Sequence, residues 1–464
     1  MKFTQLFLSF LAFLLVLLVP EESNAGERPN IIVIMADDLG MMDLHCYGNE
    51  GLDTPALDQL AREGMRFTDA YAAAPVCSPT RAAMMTGQSP ARLKLTNHAP
   101  GNKDGFSIEA SDLQEPETVR NLALSYVTIA ERLSDAGYTS AHIGKWHLSY
   151  MARNDKSGLT EPELRPEHQG FHINVGGCFR GGPPSYFAPY GIPALEEKKK
   201  GEYLPERLAD EAIAFVKRHK DQSFFLNWWP YSVHYPMQAR EALIEKYRKR
   251  KGPGIKDPIY AAMIEAMDTN IGRFLKSLDE EGLRDNTLII FKSDNGGYNG
   301  DNRPLRGVKG MLLEGGVRIP WIVRWPGKVE AGSVCHVPVI STDCYPTLLE
   351  VANLAPTAEQ KTDGESLLPL FTQSGGLKRD SIFIHYPNYA FHKRNRLGGF
   401  VREGDFKLIK RYGSGRLELY NLKQDIGEKK NLAKTSPKLA ARLESKLEDW
   451  LLETGASMPV RKSR

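Results

Sequence analysis

Cysteine is scarce in this sequence. Five thiols, Cys46, Cys77, Cys178, Cys335 and Cys344, are spread over 464 residues. That is too few for a fold stapled by disulfides, and no two have the C-x-x-C spacing of a structural zinc site. The number is odd, so at least one thiol is unpaired. A surplus of one charge is also missing. Lys and Arg total 60 against 57 Asp and Glu, a net +3, which argues against a dedicated nucleic-acid binder. There is no internal repeat and no low-complexity tract. Past Pro20 no apolar run approaches the length of a membrane span. What is present is globular material: 41% apolar residues, enough for a packed core, and 41 Gly with 29 Pro, which imply many turns and long loops. The length fits one large domain or two unequal ones.

The first residues read as an export signal. Lys2 precedes the apolar stretch Leu6 to Val19, which is short for a membrane span. Pro20, Glu21 and Glu22 follow, then Ser23-Asn24-Ala25, with small residues at both positions a signal peptidase reads. The expectation is a secretory signal peptide over 1–25, with an uncleaved N-terminal anchor as the alternative. No stable membrane insertion is expected after cleavage.

Apolar runs then alternate with helical patterns. Ile31 to Ala36 has no polar alternation and reads as a buried parallel strand. Tyr138–Ile143, Phe224–Trp229 and Thr287–Lys292 read as further strands. Helices are expected from Pro55, capped by Thr54, to near Gly64, and over 127–136, 206–219 and 257–281. This is the pattern of a layered α/β fold with a large, mostly parallel central sheet flanked by helices, over 26–374. From about 375 the texture changes. Short strand candidates at 381–385, 399–402, 406–410 and 417–420 precede a helix at 437–452. Residues 375–464 are therefore expected to form a smaller antiparallel sheet plus helix, packed on the first domain. The basic runs 198–200 and 248–251 read as solvated faces.

Four strands end in reactive side chains: Asp37-Asp38, then Lys145 and His147, then His234, then Asp294-Asn295. In a parallel sheet ligands bind beyond the carboxyl ends of strands, so one sheet would gather all four on one rim. Asp37, Asp38, Asp294 and Asn295 are oxygen donors, which favour a hard cation such as Ca²⁺ or Mg²⁺. Either pair alone would also suit a turn or a helix cap. The segment Cys77-Ser78-Pro79-Thr80-Arg81 reads as a helix start, with Cys77 at the N-terminus and Arg81 one turn on. A buried cysteine at a capped helix is the plainer reading of that segment alone.

Cys77-x-Pro79-x-Arg81 followed by Thr86-Gly87 resembles the signature of the type I, formylglycine-dependent sulfatases. These are arylsulfatase-like enzymes of the alkaline-phosphatase-like superfamily. Pro29-Asn30 to Gly40, Gly144 to His147, Ser293 to Gly297, Leu305 to Gly310 and Glu314 to Arg318 are similar to the other blocks of that family, in order. The likeness covers about residues 28 to 430. It implies that Cys77 is oxidised to Cα-formylglycine, whose hydrated aldehyde attacks sulfur. It implies that Asp37, Asp38, Asp294 and Asn295, with the modified Cys77, hold Ca²⁺ rather than Mg²⁺. Arg81 and Lys145 would steady the formylglycine, His147 would take its proton, and Lys309 and His234 would contact the sulfate and the leaving oxygen. Two positions depart from the pattern: Val308, where Gly is common, and His45, read as a surface histidine or a narrowing of the pocket mouth.

The resemblance thus implies an exported bacterial sulfatase, periplasmic or secreted, acting on a sulfated sugar or glycan. Its partners would be that carbohydrate and a formylglycine-generating maturation enzyme, with no nucleic acid. Two other readings share the scaffold: a phosphodiesterase or phosphonate hydrolase, and an inactive glycan-binding protein. His98, His142, His168, His219, His336 and His392 read as structural. His172 and His385 are candidates for the substrate pocket. Trp228-Trp229 and Tyr186 to Tyr190 read as core and loop packing, with sugar platforms as the alternative that their Gly-Pro-rich surroundings leave open.

Overall fold

The computed structural model describes residues 28–99, 112–150, 161–193, 195–250, 252–392, 394 and 396–462. The expected signal peptide, 1–25, lies outside them. Among the described residues no helix is long and apolar enough to cross a membrane.

The first apolar run forms β1 (Asn30–Ala36), buried at every position. Ile32, Ile34 and Ala36 enter one core, while Ile31, Val33 and Met35 enter another. A strand covered on both faces needs apolar residues in succession, so the run does not alternate. Seven further strands complete the sheet: β2 (Met65–Phe67), β3 (Thr139–Gly144), β4 (Ile173–Val175), β5 (Phe224–Trp229), β6 (Thr287–Ser293), β7 (Trp321–Arg324) and β8 (Ser333–Cys335). Their order is β8-β2-β7-β6-β1-β5-β3-β4. Only β7 runs against its neighbours. The short strands β2, β4, β7 and β8 were not foreseen, because three or four residues leave no readable period. Pro55–Arg62, Leu204–His219, Glu241–Lys249 and Pro258–Glu280 cover one face, and Cys77–Thr86, Ile129–Asp135 and Cys344–Val351 cover the other.

One expected cap is supplied from elsewhere. The Thr54 hydroxyl accepts the His45 N–H at 3.0 Å instead of capping Pro55–Arg62. Asp268, on the long helix Pro258–Glu280, takes that place. It accepts the N–H groups of Ala56 and Leu57 at 3.0 and 2.8 Å.

The C-terminal strands β9 (Ser381–Tyr386), β10 (Gly398–Glu403), β11 (Phe406–Arg411) and β12 (Leu417–Asn421) form an antiparallel sheet in sequence order. Its Val401, Leu408 and Leu419 pack on Leu443, Leu447 and Leu451 of the helix Pro437–Glu453. Its other face, with Ile384, Phe400 and Ile409, packs on Val76, Ala83, Leu312 and Val317. That contact reaches the residue before Cys77 and the loop after Lys309. All five cysteines are free thiols.

Candidate active site

β6, β1, β5 and β3 are adjacent and parallel, so their carboxyl ends share one rim. The structure therefore brings Asp294-Asn295, Asp37-Asp38, His234, Lys145 and His147 together there. The chain turns sharply at two of these positions: Asp38 and His147 have φ of 63° and 57°, in the left-handed region that costs non-glycine residues energy.

Cys77 is the first residue of its helix, and its thiol is buried. Its Sγ lies 3.2 Å from Lys309 Nζ, 3.6 Å from Asp37 Oδ1 and 3.8 Å from Asp38 Oδ1. Burial, then the charge of Asp294, push the thiol up to about 12. An unmodified Cys77 is thus a protonated thiol and a poor nucleophile. Lys309 arrives on the loop after β6, where its N–H bonds the Gly297 carbonyl at 3.1 Å.

Charge is balanced pair by pair. Lys145 Nζ donates to both Asp37 oxygens at 2.9 and 2.7 Å. Lys309 Nζ lies 2.6 Å from Asp38 Oδ1. Arg81 donates Nε and Nη2 to Asp294 Oδ2 at 3.0 and 2.8 Å, and Nη1 to the Lys145 carbonyl at 2.7 Å. Its guanidinium also lies 5.1 Å from the Trp229 ring centroid. Burial pushes Asp37 up to about 8, against Lys145 and with Asp294 and Asp38 adding to the rise. Burial acts on Asp38 too, but Lys309 and His234 outweigh it and hold that carboxyl low. Arg81 and Lys145 do the same for Asp294. Lys309 is raised well above the usual lysine range, because Asp38 and Cys77 overcome the effect of its burial.

The donor set fits a divalent cation. Asn295 Nδ2 donates to Asp38 Oδ1 at 2.9 Å, while its buried Oδ1 has no hydrogen-bond partner among the described residues. Ligand atoms of Asp37, Asp38, Cys77 and His234 lie within 4.8 Å of one another. A buried amide oxygen without a partner, on a side chain that touches Asp38, suits a hard cation. Sulfatases use a divalent metal and a formylglycine, and this group of side chains is suited to such a metal.

Three histidines border the cluster. His234 Nε2 lies 3.7 Å from Asp38 Oδ2, and its Nδ1 lies 2.8 Å from the Tyr235 carbonyl. Burial leads in lowering it to about 3, with Asp38 opposing and Lys145 and Lys309 adding. His147 is also held well below the usual imidazole range, first by burial and then by Lys145. Its carbonyl accepts the Ser78 hydroxyl at 2.8 Å, which ties it to the residue after Cys77. Gly181 and Gly182 pack against these rings: a Cβ there would lie 2.7 Å from His147 Nε2 and 2.6 Å from His234 Nδ1.

The third histidine corrects the sequence reading. His98, read as structural, stands with its ring centroid 5.7 Å from that of His147. Burial, then Lys309 and Lys145, lower it to about 3. It lies on a loop with no motif around it, so no local signal could have found it. The two pocket candidates fall elsewhere. His385 is buried in the C-terminal sheet between the Tyr412 hydroxyl and the Ser457 carbonyl, and His172 bonds Ser140. His392, also read as structural, lies behind the site with Nε2 2.7 Å from the Lys309 carbonyl. His45 is a surface residue paired with Asp58 at 2.8 Å. Trp228, Trp229, Tyr186 and Tyr190 are buried packing groups.

Comparison with known proteins agrees with this geometry. The sulfatase family model matches residues 29–354, and that of the N-sulphoglucosamine sulphohydrolase C-terminal region matches 308–454. A sulfatase of Formosa agariphila is 32% identical, over 94% of this chain and 91% of its own. Human arylsulfatase A is 33% identical, over 82% of this chain and 74% of its own. Among solved structures, Ps i-CgsB in complex with k-i-k-neocarrahexaose superposes with a TM-score of 0.77 at 28% identity, covering 92% of this chain and 93% of that one. The fold is accordingly that of the alkaline-phosphatase-like sulfatases. A family match over most of the chain, and relatives that are sulfatases along most of their length, lead to one conclusion: this chain belongs to the sulfatase family and is a sulfuric ester hydrolase.

Proposed function

We propose that this sulfatase is exported from a bacterial cell and removes sulfate from a sulfated saccharide, with Cys77 matured to Cα-formylglycine by a dedicated oxidising enzyme. Ca²⁺, better suited than Mg²⁺ to a crowded carboxylate set, would be held by Asp37, Asp38, Asp294 and Asn295. The observation that carries the reading is one buried cysteine in contact with two carboxylates and an ammonium group. The pattern from Lys2 to Ala25 supports export, and the saccharide bound by the similar Ps i-CgsB supports the substrate class. When present, the matured Cys77 supplies a hydrated aldehyde oxygen as nucleophile, and the cation supplies positive charge to the sulfate oxygens.

The chain's own residues do the rest. Asp37, Asp38 and Asp294 are each paired with one of Lys145, Lys309 and Arg81, and three cations can at most be matched by three carboxylates, so a bound divalent cation leaves the site positive overall, as a sulfate monoester requires. Arg81 and Lys145 orient Asp294 and Asp37 around Cys77. Burial and Lys145 keep the His147 ring in its neutral form, which has one donor and one acceptor nitrogen to offer the nucleophile. His234 faces a carbonyl with Nδ1, and a carbonyl only accepts, so Nδ1 carries the hydrogen and Nε2 presents a lone pair. Neutral His234 therefore suits accepting a hydrogen bond. Lys309, held as an ammonium ion beside Cys77, is the better donor of a proton to the departing alcohol.

Mass spectrometry of the Cys77 peptide from protein made in its native host is the test. A loss of about 18 Da, for H₂S out and oxygen in, is expected together with sulfate release from a sulfated oligosaccharide. An unmodified thiol in hydrolytically active protein would refute the reading.

A further inference from the structure

A cavity of about 740 Å³ lies between the C-terminal sheet and the loop that carries Lys309. Five guanidinium groups line it, from Arg306, Arg394, Arg396, Arg411 and Arg416. Among its lining residues only Asp112 and Glu418 carry negative charge. Glu418 is shared between Arg411, at 2.8 Å, and Arg416, at 3.7 Å. Arg306 donates to the carbonyl of Glu428 at 2.7 Å, which anchors its guanidinium without neutralising it. Arg394, Arg396 and Arg416 are exposed. Like charges gathered in one concavity repel each other and focus a positive potential in it, which attracts anions. The planar guanidinium fork matches sulfate and carboxylate oxygens.

The cavity is continuous in the chain with the catalytic rim. Arg306 precedes Lys309 by one turn of loop, and Met311, just beyond Lys309, lines the same cavity. Phe391 and His392, just before Arg394 in the chain, touch Lys309. Lys309 Nζ lies 5.6 Å from the Phe391 ring centroid, and His392 Nε2 donates to the Lys309 carbonyl at 2.7 Å. Tyr298 packs on both rings at 5.0 and 6.1 Å. Aromatic rings therefore pack on Lys309, and the chain runs from them directly into Arg394 of the basic cavity. Apolar ring faces with charged groups beyond them are what a saccharide chain with anionic substituents meets well.

We propose that this cavity is a second anion subsite. It holds a sulfate or carboxylate on a neighbouring unit of the same chain, so the substrate is an oligosaccharide bearing at least two anionic groups. The inference rests on the reading of the catalytic rim as a saccharide sulfatase site.

The test is the double variant Arg394→Ala/Arg416→Ala, which alters two exposed side chains outside the catalytic rim. Binding of a disulfated galactan tetrasaccharide and of its monosulfated counterpart is measured by calorimetry in a Cys77→Ala background, where turnover does not disturb the titration. Turnover of 4-nitrophenyl sulfate is measured with Cys77 intact. The double variant is expected to bind the disulfated probe about tenfold more weakly or worse, with the other two readings within about twofold of the parent protein. Equal affinity of both proteins for the disulfated probe, no binding of it by the parent, or equal losses with all three probes would overturn the proposal. Failure of the sulfatase reading shows separately, as absence of 4-nitrophenyl sulfate and oligosaccharide turnover by the matured parent.

Discussion

Replacing Lys309 with Met removes one buried positive charge and keeps most of the side-chain volume. The ammonium group lies 3.2 Å from Cys77 Sγ, close to where the reacting oxygens gather. At an effective dielectric of about 20, a full charge at that distance interacts at about 5 kcal/mol, and the half charge of a departing oxygen at about 2.5 kcal/mol. That is on the order of a hundredfold in rate, at the low edge of the usual loss for one preorganised donor. The leaving group tells the roles of Lys309 apart. A sugar hydroxyl is a poor leaving group and needs a proton, whereas 4-nitrophenolate departs without one. Lys309→Met is expected to lose about a hundredfold or more in kcat on a sulfated sugar and about tenfold or less on 4-nitrophenyl sulfate. Oxidation of Cys77 in the variant is checked by mass spectrometry and its fold by thermal unfolding, because Asp38 loses its closest cationic partner. Equal losses on both substrates would refute proton donation and leave sulfate binding as the role. Unchanged rates on both would refute the placement of Lys309 at the reacting centre.

Three further expectations concern stability and the cation. Lys407 is fully buried between Glu314 at 2.8 Å and Glu428 at 3.0 Å, and it ties β11 to the loop beyond Lys309. Lys407→Met leaves Glu428 without its cationic partner, while Glu314 keeps Arg318 and the Tyr71 hydroxyl, and should cost about 3–5 kcal/mol in denaturant unfolding, much of it recovered when Glu428→Gln is added. Asn295→Leu removes the orphaned Oδ1, so Ca²⁺ affinity by calorimetry should fall about tenfold or more, and a chelator should inactivate the parent enzyme reversibly. Glu403 is held at about 2, chiefly by its hydrogen bond to Arg442, with burial opposing and Lys446 assisting. Its folded-state value is depressed, so its contribution is present above the ordinary carboxyl range and is lost as pH falls from about 4.5 towards 2. Most of the group is solvent-screened, so Glu403→Gln should remove no more than about 1 kcal/mol, and only at the higher pH. An equal effect of Glu403→Gln at pH 7 and pH 2 would contradict this.

Much of the site was legible because it is built from strand ends. Apolar runs too uniform for an alternating strand announced β1, β5 and β6, and the polar residues that stop each run are the ones that meet at the rim. The Cys77 segment carried its own signal in five residues. His98 was not legible, because it comes from a loop whose only link to His147 is spatial. The Asp268 cap was hidden for the same reason: it lies more than two hundred residues from the helix it closes.

Local pattern and spacing determined a layered α/β fold with chemically able side chains after parallel strands, while it was the resemblance of short motifs, and not period or composition, that singled out Cys77 and Lys309. Period and capping act over a few residues, so a sequence carries them openly. The strand order was decided only in three dimensions, and so was the docking of the C-terminal sheet against Val76 and Leu312. The tautomer of His234 and the gathering of five arginines from separate segments into one cavity also appear only there. Each depends on which surfaces exclude water together, and on which buried charge finds its partner, across separations that no short-range rule spans.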